Sequence, residues 1–542
     1  MRKAETVAEV RELRLKFPGE SEFVFKDLDF SVQRGEHVLL LGPSGCGKST
    51  LLQVLSGIIP ELVEIPMRMS AQQLPSSWRF LFQDPDTQFC MPYVDEELAF
   101  ALENLGVQQP DMAARMEAAL VKVGLDLPEL HVPIDSLSQG MKQRLALASV
   151  LLGDPEVLLL DEPSALLDPQ GREQIWQAIA NVAEDRTLII VEHRIEELTA
   201  LGLVDRVVLF GPDGRVLGEG APERVFDTYR SELVEFGIWY PGVWDQYFAT
   251  EAGRRLLEPV EDGRRLGEPA MVQLTSYCGR RQGRPVIQVG QAAVYPGDWI
   301  AITGPNGAGK SSLLLSLINL LPAEGTYVLQ GARMETGKLR RRARRRQLER
   351  TAREIGFVFQ NPEFQFVADR VAEEVAFSLR EDGWEADGID ERVAEVLRRF
   401  GLTGLESRHP YQLSLGQKRR LSVASAVVRE QRLLLLDEPT FGQDAANTFA
   451  ILQLCESLRR MGTAILMVTH EERIAEQIAT QHWEVRDGRL TSQRLTRRTG
   501  NFKTDTNKGS PSGSPLPSES EAAFSAEKER QGQPGAEAVM TK

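Results

Sequence analysis

The sequence predicts an α/β protein built from two tandem copies of one domain, each a mainly parallel sheet flanked by helices. Three observations carry this expectation. First, four motifs recur in the same order: GPSGCGKST (Gly42 to Thr50) as GPNGAGKSS (Gly304 to Ser312), FLFQDPDTQF as FVFQNPEFQF, LSQGMKQRLALAS as LSLGQKRRLSVAS, and LLLDEPSALLD as LLLDEPTFGQD. Second, the spacing between counterparts is 262 residues for Lys48 and Lys310, and then holds at 276 or 277 for Gln83/Gln360, Ser138/Ser414, Asp161/Asp437 and His193/His470. One insertion of 15 residues in the second copy accounts for the step. Third, VLLLDEP, RLLLLDEP, TLIIVEH and AILMVTH are unbroken apolar runs, the pattern of parallel strands covered on both faces. Strands alternating with helical stretches give an open α/β architecture.

The copies are expected over residues 8–225 and 270–496, with a connector at 226–269 and a disordered tail at 497–542. The tail is rich in Ser, Gly, Pro, Glu and Lys and too poor in apolar residues to fold. The connector region from Gly211 to Glu268 carries 12 acidic and 7 basic residues. The chain has 542 residues, a net charge of −15 and 4 Cys. That balance argues against a protein held mainly by nucleic-acid phosphates. The scattered Cys form no CxxC pair, so neither a disulfide framework nor a zinc site is expected, and a reducing cytosol fits. The N-terminus has charges throughout and does not read as a signal peptide. No apolar run of about 18 residues occurs, so no membrane span is expected.

Each element of the repeat has a chemical reading. HVLLLG and DWIAITG are strands that run into glycine loops, Gly42–Pro43–Ser44–Gly45–Cys46–Gly47–Lys48–Ser49–Thr50 and Gly304–Pro305–Asn306–Gly307–Ala308–Gly309–Lys310–Ser311–Ser312. Glycines let backbone N–H groups curl around phosphates, and the following helix points its positive end at them. Lys48 and Lys310 would reach the terminal phosphates, and Ser49 and Ser311 would ligate Mg2+. Asp161 and Asp437 end buried strands and would hold the metal, while Glu162 and Glu438 would orient and deprotonate the attacking water. His193 and His470 follow the next strand, at the edge where ligands bind in such sheets. Ser138 with Gly140, and Ser414 with Gly416, open helix-like stretches. They read equally well as a second anion site or as ordinary helix caps. Gln83 and Gln360 end short strands before a Pro and can bond both metal and water. The segments after them, DEELAFALENLG and AEEVAFSLREDG, read as helices with one apolar face, for internal packing or for sensing the nucleotide.

These motifs, in this order, resemble the ATP-binding cassette (ABC) ATPases across both copies. The resemblance implies two tandem P-loop NTPase domains of the ABC type, each with a helical subdomain and an antiparallel β subdomain. It implies ATP and Mg2+ as ligands, and cassettes paired head to tail within one chain. One composite site would join Lys48, Ser49, Gln83, Asp161, Glu162 and His193 to Ser414, Gly416 and Gln417. The other would join Lys310, Ser311, Gln360, Asp437, Glu438 and His470 to Ser138 and Gly140. Asp168 and Asp444 match the loop that links the sites. Phe17 and Tyr277 stand about where an aromatic ring stacks on adenine, though either could be a core residue. The signature motif of the family is LSGGQ. Here the first copy has Met141 in the Gln place, and the second reads LSLGQ, so two competent but unequal sites are expected. The linking loop FGQD also departs from the usual pattern.

Within the family, FQ[DN]P, then xxQF, then EE[LV]AF looks like the ATPases of energy-coupling-factor importers. That likeness implies uptake of a vitamin, a vitamin precursor or a metal ion. The partners would be a membrane scaffold subunit and a small substrate-binding membrane subunit, with this chain peripheral on the cytoplasmic face and no nucleic acid involved. Rival readings are a fused sugar-importer ATPase and a ribosome-associated ATPase. The acidic, Pro- and Gly-broken connector argues against the ribosomal reading. A DNA-repair ATPase would need a coiled-coil or zinc insertion. Two local features remain. The insertion from Lys338 to Arg353 holds nine basic residues and reads as a solvated helix or a lipid-headgroup contact. The connector aromatics Phe236, Trp239, Tyr240, Trp244 and Tyr247 are expected to pack the connector onto a cassette.

Overall fold

The computed structural model describes residues 5–20, 22–43, 45–165, 167–260, 267–337, 341–496 and 498. Apart from Arg498, the proposed tail lies outside the described residues, as does the start of the basic insertion, 338–340.

In the first copy, six strands form the central sheet in the order Val216–Gly220, Arg206–Phe210, His37–Leu41, Thr187–Val191, Val157–Asp161, Trp78–Leu81. All but the first run parallel. The apolar runs justify this placement: Val157 to Leu160 and Leu188 to Val191 are fully buried, which only a strand covered by helices on both faces achieves. A separate antiparallel sheet pairs Thr6–Leu15 with Phe25–Gln33, Met67–Arg68 and Ala71–Gln73. Helices Val94–Asn104, Gln109–Lys122 and Gln139–Leu151 pack together as the helical part.

The second copy repeats this plan with one difference. Its antiparallel strands join the parallel core through a single pairing, Gln288↔Arg489, so the described strands form one ten-stranded sheet. Its core order is Trp299–Thr303, Ala464–Val468, Leu433–Asp437, Ile355–Val358, the counterpart of the first copy. The basic insertion forms the helix Arg341–Glu354. Only Gln347 and Thr351 of it are buried, Gln347 donating to Asn319 Oδ1 at 2.7 Å and to the Glu335 carbonyl at 2.8 Å, while its arginines face outward.

Among its described residues the connector forms helices Arg230–Glu235, Val243–Ala249 and Glu251–Leu257 and packs onto the second cassette, as its aromatics predict. Tyr247 stacks flat on Phe449, ring centroids 3.8 Å apart, and Trp244 meets Phe449 edge-on at 5.1 Å. The Trp239 indole N–H donates to the Gln443 carbonyl at 2.8 Å, and the Ala445 N–H donates to the Gly237 carbonyl at 2.8 Å. The connector therefore grips the linking loop of the second copy. One apolar core runs from Leu39 and Trp176 through Trp244 and Leu256 to Leu434 and Phe449.

Arg498, expected in the tail, is instead buried. Its guanidinium bonds Glu456 Oε1 at 2.6 Å, the Ile478 carbonyl at 2.9 Å and the Glu258 carbonyl at 2.8 Å. It ties the end of the second cassette to the connector. Glu456 would keep Arg459 and Arg460, but Arg498→Ala removes the buried charged donor of the Ile478 and Glu258 carbonyls, so it should destabilise the protein by about 3 kcal/mol. Denaturant unfolding followed by circular dichroism measures this, and an unchanged midpoint would refute the anchoring role.

Candidate functional site

Each phosphate loop joins a buried strand to a helix. Gly47 caps the helix Lys48–Leu55 at φ 102°, and Gly309 caps Lys310–Leu317 at φ 104°. A Cβ on Gly47 would fall 2.6 Å from Val24 Cγ1, and one on Gly309 would fall 2.5 Å from the Val286 carbonyl oxygen. Only glycine fits either place. Lys48 Nζ donates to the Gly42 carbonyl at 2.8 Å and the Pro43 carbonyl at 3.0 Å. Lys310 Nζ does the same to Gly304 at 2.8 Å and Pro305 at 2.9 Å. Both ammonium groups are buried and arch over their own loops. Gly45 and Gly307 make the positive-φ turns of the loops, and Cys46 and Ala308 are buried. Thr50 and Ser312 follow in the helices. Ser44 lies outside the described residues.

The carboxylates meet these loops. Ser49 Oγ donates to Asp161 Oδ1 at 2.8 Å, and Ser311 Oγ to Asp437 Oδ1 at 2.9 Å. Burial pushes both Asp161 and Asp437 up to about 6. A divalent cation beside them would reverse that, and hydroxyl, carboxylate and amide oxygens are the hard donors Mg2+ takes. Gln83 Nε2 donates to Glu162 Oε2 at 2.9 Å, and His193 Nε2 lies 3.0 Å from Glu162 Oε1. The second copy repeats the triangle: Gln360 Nε2 to Glu438 Oε2 at 3.1 Å, His470 Nε2 to Glu438 Oε1 at 3.2 Å. Both glutamates sit at φ 48°, a strained conformation that persists only when the surroundings impose it. Burial alone would raise Glu162, but the hydrogen bond and charge of His193 outweigh it and hold the carboxyl below its usual range. Burial likewise opposes the charged form of His193, and Glu162 overcomes it and raises the imidazole.

The two copies share one cavity of about 910 Å³, a volume suited to a small-molecule ligand. Ser138 and Gln139 of the first copy line it together with Asn306, Lys310, Ser311, Gln360, Glu438 and His470 of the second. The linking loop crosses as well: Asp168 Oδ2 accepts from the Asn306 N–H at 2.9 Å. Gly140 follows in the helix that Ser138 caps, Gln139–Leu151. The reciprocal link from Asp444 would fall on Ser44, the counterpart of Asn306, which lies outside the described residues. Ser414, Gly416 and Gln417 open the helix Leu415–Val427, and Asp444 caps the helix Ala445–Arg460 through the Asn447 N–H at 2.7 Å.

The signature substitutions have a visible consequence. Ser414 and Gln417 close a reciprocal capping box, Ser414 N–H to Gln417 Oε1 at 3.0 Å and Gln417 N–H to Ser414 Oγ at 3.3 Å. Ser138 accepts only from the Met141 N–H at 3.3 Å, because the thioether of Met141 cannot return the bond.

Tyr277 is a core residue, not a platform for a base. It is 1% exposed and meets Tyr327 edge-on at 5.9 Å, so no ligand reaches its face. Phe17 stands exposed between Thr6–Leu15 and Phe25–Gln33. In the matching hairpin of the second copy, Arg281 lines the shared cavity. Its flat guanidinium can stack as an aromatic ring does, the role expected of Tyr277 from the sequence.

Sequence reasoning also missed the residues that tie the site to the helical part. Glu97 accepts from the N–H groups of Cys90 and Met91 at 2.8 and 2.9 Å, and Glu374 from those of Val367 and Ala368 at 2.8 and 2.9 Å. The second Glu of each EE[LV]AF run thus holds the segment after the site Gln. Lys142 bonds Asp86 and Lys418 bonds Glu363, both at 2.6 Å, and Arg419 donates to the Phe359 carbonyl at 2.8 Å and the Gln360 carbonyl at 2.6 Å. The helix that each signature opens is therefore tethered to the Gln loop of its own copy. Recurrence of EE and of a basic residue at matching offsets was the available signal.

Comparison with known proteins agrees with this architecture. The profile of the family described as "ABC transporter" matches residues 25–165 and 290–441. A Bacillus subtilis (strain 168) protein named as a candidate HMP/thiamine import ATP-binding protein is 33% identical over 87% of this chain and 88% of its own length. A Streptococcus pneumoniae protein named as a candidate ABC transporter ATP-binding protein is 31% identical over 90% of each. The solved structure of an archaeal ribosome recycling factor, in complex with a ribosomal stalk protein, shares the fold, with TM-score 0.58 and 20% identity over 90% of each chain. Two phosphate loops, two family matches and full-length relatives make this chain a member of the ABC transporter family, an ATPase with two fused cassettes.

Proposed function

We propose that this chain is the ATP-hydrolysing motor of an energy-coupling-factor-type importer for a vitamin, vitamin precursor or metal ion. The observation that carries the motor reading is the cavity in which Ser138 of one copy faces Lys310 of the other. A ligand bridging the two would hold the copies together, and its hydrolysis would release them. The loop N–H groups and Lys48 or Lys310 bind the phosphates of ATP. Ser49 with Asp161, and Ser311 with Asp437, would hold Mg2+, joined by Gln83 and Gln360; the ion neutralises phosphate charge when bound. Glu162 and Glu438 accept the proton of the attacking water, while His193 and His470 fix each carboxylate and offer a donor to the terminal phosphate. Phe17 and Arg281 give flat surfaces for the base.

The FQ[DN]P and EE[LV]AF motifs and the relative named for HMP/thiamine import support the importer reading. No described helix is long and apolar enough to cross a membrane. The transported substrate would therefore pass through separate membrane subunits, a scaffold and a small substrate-binding protein, with this chain on the cytoplasmic face. Pull-down of the tagged chain from gently solubilised membranes, with mass spectrometry of the partners, tests this. A polytopic scaffold with a small membrane protein is the expected catch. Ribosomes without membrane proteins would overturn the importer reading and leave a soluble ATPase switch.

The two sites should be unequal. The one that uses Ser414 and Gln417 has the complete capping box, so Glu162→Gln should lower ATP turnover more than Glu438→Gln, by about threefold, the worth of one neutral hydrogen bond. Equal losses in steady-state assays would remove the asymmetry.

A further inference from the structure

The loops that carry His193 and His470 meet each other. Arg194 Nη1 pairs with Glu471 Oε1 at 2.5 Å. The interval between these two residues is 277, the same as between His193 and His470. They are counterparts in the repeat, and counterparts touch only where the pseudo-two-fold axis relating the copies passes between them. Identical copies would set like side chains against each other on that axis. This chain sets opposite charges there, with the Arg194 side chain 29% and the Glu471 side chain 14% exposed, so solvent screens the pair only in part.

The neighbourhood makes the pair specific. Glu197 is engaged by Arg172 at 2.9 Å, and Arg473 pairs with Asp245 at 3.2 Å. Each partner also follows a histidine held by a candidate base, at 3.0 Å in the first copy and 3.2 Å in the second. Both turns are pinned from within. Glu192 accepts from the N–H groups of His193 and Arg194 at 2.8 and 3.1 Å, and Thr469 Oγ1 accepts from the Glu471 N–H at 3.1 Å. With so little slack, a shift of the pair moves the imidazoles.

We infer that Arg194 and Glu471 form a clasp between the cassettes that positions both histidines and couples the two nucleotide sites. This rests on the reading of those sites given above. Neither residue touches a reacting atom, so both are positioning residues. The clasp also favours pairing of the two cassettes of one chain, because pairing like cassettes from separate chains would oppose Arg to Arg or Glu to Glu.

The test is a double-mutant cycle in the full chain with Arg194→Ala, Glu471→Ala and both together. Two quantities are read: steady-state ATP turnover, and hydrogen exchange of residues 191–195 and 468–472 without nucleotide. Each single substitution should lower kcat about tenfold and leave KM for ATP within about twofold, and the double should be no worse than the poorer single. Exchange should rise in both loops whichever residue is changed. Losses that multiply in the double variant, or exchange that rises only in the substituted loop, would overturn the clasp. If the parent hydrolyses no ATP, the nucleotide reading fails, and the exchange data still decide the clasp. Should an alanine variant unfold, Arg194→Gln and Glu471→Gln keep the volume and carry the same cycle.

Discussion

Replacing Glu162 and Glu438 together by Gln leaves a protein that binds ATP but turns it over at least about a hundredfold more slowly, the usual worth of a positioned general base. The amide is nearly isosteric with the carboxylate. It can still meet Gln83 or Gln360 on one side and His193 or His470 on the other. What it loses is the basic oxygen that takes the proton of water. The phosphate cradle is untouched, since Lys48 and Lys310 rest on loop carbonyls rather than on the glutamates. Nucleotide should therefore remain bound and hold the cassettes together. Turnover by phosphate release and binding by a fluorescent ATP analogue separate the two effects. A double variant that hydrolyses at the parent rate would show that both glutamates have been given the wrong role.

Lys48→Ala combined with Lys310→Ala should act on the other half of the cycle, weakening ATP binding by about two orders of magnitude or more, the usual scale for removing one partner of a desolvated charge pair. Both ammonium groups are 6% exposed or less and close onto backbone carbonyls of their own loops, poised where phosphate charge would arrive. Burial pulls Lys310 below the usual lysine range, offset in part by Glu438, Asp168 and Asp437, and the negative charge of a phosphate would favour the protonated ammonium in the same way. Calorimetric titration measures the loss. The rise in melting temperature that ATP gives the parent should vanish as well, because a ligand stabilises only the state it binds. Affinity within threefold of the parent would reject the cradle.

Much of the site was legible because it is local along the chain. Glycines at fixed offsets before a Lys-Ser pair dictate a loop, and an apolar run ending in Asp-Glu dictates a buried strand whose carboxylates emerge at its end. Gln83, Glu162 and His193 lie on three separate segments, yet each could be named because its motif recurs in the second copy. Tyr277 was misplaced for the converse reason. Its aromatic type and its place ahead of the phosphate loop are facts of sequence, but whether its ring faces solvent or Tyr327 depends on the twist and pairing of the antiparallel strands. Arg281, the last residue of the strand Val272–Arg281, took the exposed place instead. Arg498 was read as tail because its surroundings in sequence are polar, while its partners Glu456 and Glu258 are distant along the chain.

The amino-acid order was enough to establish a doubled phosphate-loop ATPase, with the order of its motifs, its buried strands and the inequality of its two signatures. Those properties follow from residue spacing and apolar period, which short-range backbone geometry obeys. Which residues meet across the copies became visible in the folded chain alone: Ser138 opposite Lys310, Asp168 on Asn306, Arg194 on Glu471, and the connector on the loop at Gln443. Such contacts arise from docking two whole surfaces, and a side chain's neighbours there are set by the packing of every element beneath it rather than by its own place in the chain.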